Sequence, residues 1–237
     1  MKFIKLCALI TVAAIFFAGC ATTHISKDVT QALRSSKVAV VYCQMNKKIH
    51  YEELVYKVLW NETRTKDVSF DGLWDIDSEL SNFMAPKVSA LGIKAVTIYD
   101  VAPKEAVLEL HKTLAENLVK ALKEKSGIVP LVLSENMRSK LLENGIDYLI
   151  VVDSLGIRVY SQIGFKQGSA LASMYVQDVH SNEQKYYSSL PVFGNLKVKK
   201  TVREIEDNNL AGLKKEMKAW LEVSISKHMP KVLGLTE

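Results

Sequence analysis

Apolar and polar positions along this chain fall into short blocks whose period changes several times. Lys37-Val-Ala-Val-Val-Tyr42 is a continuous, β-branched apolar run, which predicts a central strand. From Glu53 to Asn61 the even positions Leu54, Tyr56, Val58 and Trp60 are apolar, while Glu53, Lys57 and Asn61 are polar. That alternation predicts a strand with one buried face. Thr63 to Asp75 is rich in turn residues. From Asp77 to Leu91 the residues Leu80, Phe83, Met84, Val88 and Leu91 have helical spacing, but Pro86 interrupts them. Proline removes a backbone donor, so a kink or two short helices are expected, ended by Gly92. Ile93–Val101 then reads as a strand.

The strongest helical period follows. Val107, Leu110, Leu114, Leu118 and Leu122 share one face of a helix over Lys104–Lys125, which Gly127 stops. Ile128–Leu133 reads as a strand. Ser134 opens a short helix through Leu142, capped by Asn144-Gly145. Asp147–Tyr160 begins as a buried strand and then alternates, with Leu155, Ile157 and Val159 on one side and Ser154, Arg158 and Tyr160 on the other. Ser161–Gly168 reads as a polar turn. Ser169–Val179 and Gln184–Val192 alternate about a hairpin turn at His180-Ser-Asn-Glu183. Asn208–Val232 is amphipathic, with Leu210, Leu213, Met217, Leu221, Ile225, His228 and Val232 on one face. The order predicts an α/β (α+β) domain: a mixed sheet with packed helices, in which βα units precede a β-meander and a C-terminal amphipathic helix.

The N-terminus has a different pattern. Lys2 and Lys5 precede the apolar run Leu6–Ala18, which is too short to span a bilayer, and Phe17-Ala-Gly-Cys20 closes it with small residues. This is the layout of a secretory signal over residues 1–19. Its end resembles a bacterial lipobox, which implies cleavage before Cys20 and attachment of diacylglycerol and an acyl chain to that cysteine. Residues 20–36 then form a lipidated, polar tether, and 37–237 a single periplasmic domain with room for an insertion at 46–75. Ala21-Thr22-Thr23 lacks the aspartate that looks like an inner-membrane retention signal, so the expected location is the outer membrane, with the domain facing the periplasm.

Composition narrows the function classes. The net charge of +5 includes Lys2 and Lys5. Without them it is about +3, too weak a footprint to expect nucleic acid. Cys7 leaves with the signal and Cys20 carries lipid, so Cys43 remains without an intramolecular partner and is expected to be a buried thiol.

Three segments read together suggest relatives: LAENLVKALKEKSGIVPLVLSE, LLENGIDYLIVVDSLGIRV and SALASMYVQDVHSNEQKYYSS. The last is a hairpin whose turn, Ser181-Asn182-Glu183, sits where related proteins often write a D-x-x-T-G-E-like sequence. With the lipobox and the final helix, the arrangement resembles a broad group of envelope lipoproteins. The group includes the curli-secretion lipoprotein family, the lipoprotein activators of penicillin-binding proteins and the N-terminal domain of TolB. The resemblance covers roughly Ala106–Val232 and the strand at Val38. It implies a non-enzymatic scaffold or accessory subunit of an envelope or secretion assembly, with envelope proteins as partners and homo-oligomerisation by analogy. No catalytic motif travels with it.

Candidate chemistry is sparse. Phosphate-loop, dinucleotide, zincin and nucleophile-elbow motifs are absent from the sequence. The histidines His24, His50, His111, His180 and His228 lie far apart and read as surface or packing residues. Asp75, Asp77 and Glu79 alternate and form a weak cation candidate, competing with a polar helix start capped by Asp77 or Ser78. No cofactor is expected beyond the lipid. A Cys43/His50 nucleophile–base pair, or Asp75 and Asp77, defines the rival reading of an envelope hydrolase. A second rival is an oligomeric export pore subunit, which needs two long strands between Glu53 and Asp75. Trp60, Phe70, Trp74, Tyr186, Tyr187 and Phe193 are candidates for a partner-binding surface, with core packing as the competing account.

Overall fold

The spine of the molecule is one long strand, Tyr148–Gln162, against which three other strands pair. The computed structural model describes residues 25–124, 129–163, 165–189 and 207–236. In chain order the elements are α1 (Lys27–Ser35), β1 (Lys37–Gln44), β2 (Lys48–Tyr56), β3 (Asn61–Ser69), α2 (Ile76–Ser89), β4 (Lys94–Thr97), α3 (Lys104–Glu124) and α4 (Glu135–Glu143). Then come β5 (Tyr148–Gln162), β6 (Phe165–Asp178), β7 (Glu183–Ser189), α5 (Ala211–Val223) and α6 (Met229–Val232), the last two joined by a π-helical turn, Ser224–His228.

The sheet is mixed, as the element order predicts. Along one edge of β5, β1 pairs in parallel with the first half (Val38 opposite Tyr148) and β2 in parallel with the second (Ile49 opposite Ile157). β1 and β2 therefore lie end to end. β4 continues the sheet beyond β1, in parallel, and β3 beyond β2, antiparallel. On the opposite edge β6 pairs antiparallel with β5 along its whole length and β7 pairs with β6.

Period-two patterning gives the sheet two apolar faces, and helices close both. Val38, Val40, Tyr42, Ile150 and Val152 meet α2, α5 and α6. Ala39, Val41, Cys43, Leu149 and Val151 meet α3, α4 and the segment around Leu131. The upper half of the sheet, built by β3-β2-β5-β6, extends beyond the α3–α4 layer.

Several sequence expectations change. The polar tether is, from Lys27, the helix α1. Ser26 caps it by accepting from the Val29 N–H, and Leu33 is fully buried. Thr30 Oγ1 donates to the Leu233 carbonyl at 2.8 Å and Arg34 to the Leu235 carbonyl at 3.0 Å. Gly234 permits this contact: its φ is +63°, and a Cβ there would lie 2.9 Å from Thr30 Oγ1. So few apolar residues carry α1 that its pattern reads as a linker.

Residues 46–75 are integrated with the rest of the domain: β2 joins the sheet and Phe70 and Trp74 enter the core. Pro86 sits in the last turn of an uninterrupted α2, so the helix forgoes one backbone bond there without breaking. The expected strand at Ile93–Val101 shortens to β4, followed by a 3-10 turn at Ile98–Asp100. Leu155 leaves the Ile157–Val159 face, because a bulge between Ser154 and Gly156 turns it toward solvent. The polar stretch Ser161–Gly168 is mostly strand, since β5 and β6 run through it to within two residues of each other.

Over 129–133 the expected strand is an extended segment without sheet pairing. Its backbone bonds go to amide side chains instead. Gln184 accepts from the Leu131 N–H, and Asn182 both accepts from the Leu133 N–H and donates to its carbonyl, each at 2.9 Å.

Candidate functional site

Two places on the molecule gather side chains that the fold alone does not demand. The first is a buried polar knot at the carboxyl end of β1. There the chain leaves the sheet and α2 begins, so the first turn of α2 offers free N–H groups and a positive dipole end. Asp77, buried in that turn, accepts from the Gln44 N–H at 2.6 Å, takes the Lys47 ammonium on its other oxygen, and has His111 Nδ1 at 3.3 Å from that same oxygen. Ser81 Oγ donates to the Asp77 carbonyl at 2.6 Å and accepts from the Tyr42 N–H at 2.8 Å. β1 and α2 are thus laced together by side chains from α2, α3 and the β1–β2 loop.

Burial sets the protonation states around this knot. It lowers the Lys47 ammonium from its ordinary value. His111 is pushed down to about 4 by burial and then by the Lys47 ammonium, so its imidazole is neutral near pH 7. Its Nε2 meets no partner among the described residues. Burial, and then the Asp153 carboxylate, push the Cys43 thiol well above its usual range. Asp153, on β5 beside Cys43, is itself pushed up to about 6 by burial, with Tyr175 Oη 3.4 Å from one oxygen and no partner for the other among the described residues.

This arrangement supplies rigidity more readily than a reaction. Both Asp77 oxygens are engaged, and the Cys43 thiol is held protonated in the core. Cys43 and His50 do not form a pair. His50 is exposed on β2 with Asp67 2.9 Å from its Nδ1, whereas Cys43 faces the α3–α4 side. The acidic triplet does not converge either. Asp75 is exposed at the helix N-cap without a side-chain cap bond, Asp77 points into the knot, and Glu79 pairs with Lys218 at 2.6 Å. A helical step of about 100° per residue separates carboxylates that a strand would have aligned. Lys47 and His111 escaped the sequence reading because their link to Asp77 spans 30 or more residues and leaves no local pattern.

The second place is one end of the sheet. β2 and the second half of β5 are parallel neighbours, so the turn at 57–60 and the end of β5 at Gln162, followed by Ile163, emerge at the same edge. Tyr56 Oη reaches Gln162 Oε1 at 3.2 Å between the two hairpins. Five apolar side chains are exposed here: Val58 (100%), Leu59 (84%), Ile163 (77%), Trp60 (58%) and Tyr56 (48%). The Lys57 N–H closes the first turn on the Trp60 carbonyl at 2.9 Å. The Lys57 ammonium lies 5.3 Å from the Trp60 ring centre and also pairs with Glu62.

Among the described aromatic candidates, only Trp60 is on this edge. Phe70 and Trp74 are buried and stack edge-to-face with centroids 5.5 Å apart. Tyr186 is buried, and Tyr187 is half-buried against Tyr175 with centroids 5.0 Å apart. Phe70 and Trp74 of the β3–α2 loop and Tyr186 and Tyr187 of β7 thus pack rather than form a surface. Phe193 and Cys20 lie outside the described residues. The alternation over Glu53–Asn61 had placed Val58 and Trp60 on a buried strand face. The strand instead ends at Tyr56, in a turn that carries no glycine, proline or asparagine to announce it.

No helix among the described residues is long and apolar enough to cross a membrane. No protein-family model matches the chain, and searches of curated proteins and of solved structures find no significant match.

Proposed function

We propose that this chain is an envelope lipoprotein, anchored to the outer membrane through lipid on Cys20, whose periplasmic domain works as a non-enzymatic scaffold or accessory subunit. The observation that carries this reading is the double hairpin tip. Val58, Leu59, Trp60 and Ile163 are held out on paired strands while the core beneath is closed by helices on both faces. Exposed apolar side chains concentrated at one end mark a contact surface. The secretory signal and the lipobox-like Phe17-Ala-Gly-Cys20 support a membrane setting for that contact. A lipid anchor confines the domain near a two-dimensional surface and raises its effective concentration toward anything bound there.

The hydrolase rival draws little from the geometry, since Asp77 is committed to Gln44, Lys47 and His111 and Cys43 is buried as a thiol. The pore rival asks for two long strands between Glu53 and Asp75, but β2 ends at Tyr56 and only β3 lies wholly in that span, reading Asn61-Glu-Thr-Arg-Thr-Lys66. Neither alternating set is apolar, so this strand has no lipid-facing side for a barrel wall.

The reading is tested by expressing the full-length chain with an affinity tag in a Gram-negative host and determining the amino-terminal mass of the purified protein. Processing before Cys20 with acyl chains attached is expected, together with outer-membrane fractionation that Cys20→Ser abolishes. An unprocessed, unacylated terminus overturns the proposal. Pull-down from detergent-solubilised envelopes then reads the scaffold role: reproducible co-purification of envelope proteins is expected, and a monomer free of partners counts against it.

A further inference from the structure

We propose that the paired tips of the β2–β3 and β5–β6 hairpins insert shallowly into the lipid–water interface of a bilayer. This names the partner of the contact surface described above and rests on the reading of the chain as membrane-tethered.

The side chains grade in exposure and chemistry as an interface requires. Val58, Leu59 and Ile163 are the most exposed. Next come Tyr56 and Trp60, the residue types that favour the headgroup level because each joins an apolar ring to a polar atom. Behind them stand Lys57 and Glu62, paired with each other, and Arg64, 2.9 Å from Glu62. The Lys57 stem runs alongside Trp60 and its ammonium is turned back toward Glu62, the posture by which lysine keeps its charge in water while its carbon chain is buried.

Shape and charge favour fluid lipid over a folded partner. The tips present their apolar side chains from turns as exposed protrusions. Hydrocarbon adapts to such loose protrusions without a matching pocket. Depth is limited by the chain itself, because immediately after Trp60 the sequence Asn61-Glu-Thr-Arg is polar on both strand faces. Burying those charges in hydrocarbon is costly, so insertion stops at the turns. The anchor holds the domain at the bilayer surface, since Cys20 precedes Ile25, the first described residue, by only five positions.

The chain carries its own reporter. Of its three tryptophans, Trp74 and Trp220 are buried in the domain and only Trp60 is exposed. Full-length acylated protein is reconstituted into vesicles of phosphatidylethanolamine and phosphatidylglycerol, with and without lipids brominated near the headgroup. Bromolipid quenching of an emission component that Trp60→Phe removes is expected, together with a fall of about threefold or more in acrylamide access to Trp60 relative to Val58→Asp/Leu59→Asp in the same vesicles. Near-ultraviolet circular dichroism of the double variant confirms that its core is intact, as substitution of exposed residues leads one to expect.

Flotation of the same vesicles separates the two ideas. Protein that floats through its acyl chains while Trp60 stays open to acrylamide and untouched by bromolipid overturns the tip proposal alone, and points to a protein partner for the tips. Protein that is neither acylated nor floating overturns the parent reading and the tip proposal together. A Trp60 component quenched in both the parent and the double variant also overturns the assignment to Val58 and Leu59.

Discussion

The side chain of Asn182 grips both backbone groups of Leu133, accepting from its N–H and donating to its carbonyl, each at 2.9 Å. Asn182 sits in the β6–β7 turn with φ of 56°, a conformation that asparagine tolerates better than most residues. One turn residue therefore ends a hairpin and fastens the segment that closes the α3–α4 side of the core. Replacing it with alanine removes both bonds and strains the turn, for an expected loss of about 2–4 kcal/mol in urea unfolding. Asn182→Gly keeps the backbone free and loses only the bonds, so it is expected to cost less. Equal effects would show that the clamp, and not the turn, dominates. A loss below about 0.5 kcal/mol in both would remove the clamp from the account.

Leu33 distinguishes a docked helix from a tether. Its side chain is fully buried in the same cluster as Ile25, Val232 and Leu233. Leu33→Ala is expected to destabilise the domain by about 2–5 kcal/mol, because a cavity remains where α1 meets the core. A residue in a free linker would give no change in the denaturant midpoint.

The two displaced titrations near the knot act in opposite directions. Asp153 is pushed up to about 6, so the stability it contributes is present below the ordinary carboxylate range and is lost as pH rises through 6. His111 is pushed down to about 4, so its contribution is present above the ordinary imidazole value and is lost as pH falls through 4. Each displacement amounts to about 3 kcal/mol at most, and between pH 4 and 6 they largely cancel. Asp153→Asn is expected to gain about 1–3 kcal/mol relative to the parent at pH 7, with the gain vanishing toward pH 4. His111→Gln, compared with the parent in the same way, is expected to lose ground at pH 7 and recover it as the pH falls to 4. Difference curves of thermal midpoint against pH that stay flat in both variants would contradict the burial assigned to these groups.

Cys43 is buried on β1 and its thiol is raised by that burial and by Asp153. Nucleophilic reactivity requires thiolate. Native protein at pH 8 is expected to leave Cys43 unmodified by an aromatic disulfide reagent over hours, and to react promptly once unfolded in guanidinium. Rapid modification of the native state would return Cys43 to the list of chemically active residues.

Much of the fold was legible because burial writes regular periods. The unbroken Lys37–Tyr42 run, the heptad-like leucines of α3 and the alternation of β6 each depend on neighbours close in sequence. What escaped was set by distant partners. Residues 129–133 have strand-like composition but give their hydrogen bonds to side chains from 182 and 184. α1 looks hydrophilic because its few apolar anchors are enough when the C-terminal tail covers them. The tip was misread through its own regularity: Leu54, Tyr56, Val58 and Trp60 alternate as a buried face would, yet the chain turns at Lys57 and presents them outward. Of the described aromatic candidates only Trp60 is largely exposed, since an aromatic residue gives no local sign of whether it faces core or water.

The clasp between α1 and the tail has a mechanical consequence. Thr30 and Arg34 grip the Leu233 and Leu235 carbonyls, and the Ile25 N–H reaches the Val232 carbonyl at 3.4 Å. Any tug arriving through residue 25 is therefore shared with the opposite terminus before it reaches the sheet. Strand β1, which begins at Lys37, stays shielded until that joint parts. The joint between α1 and the tail is thus the first component to take up a load applied at residue 25.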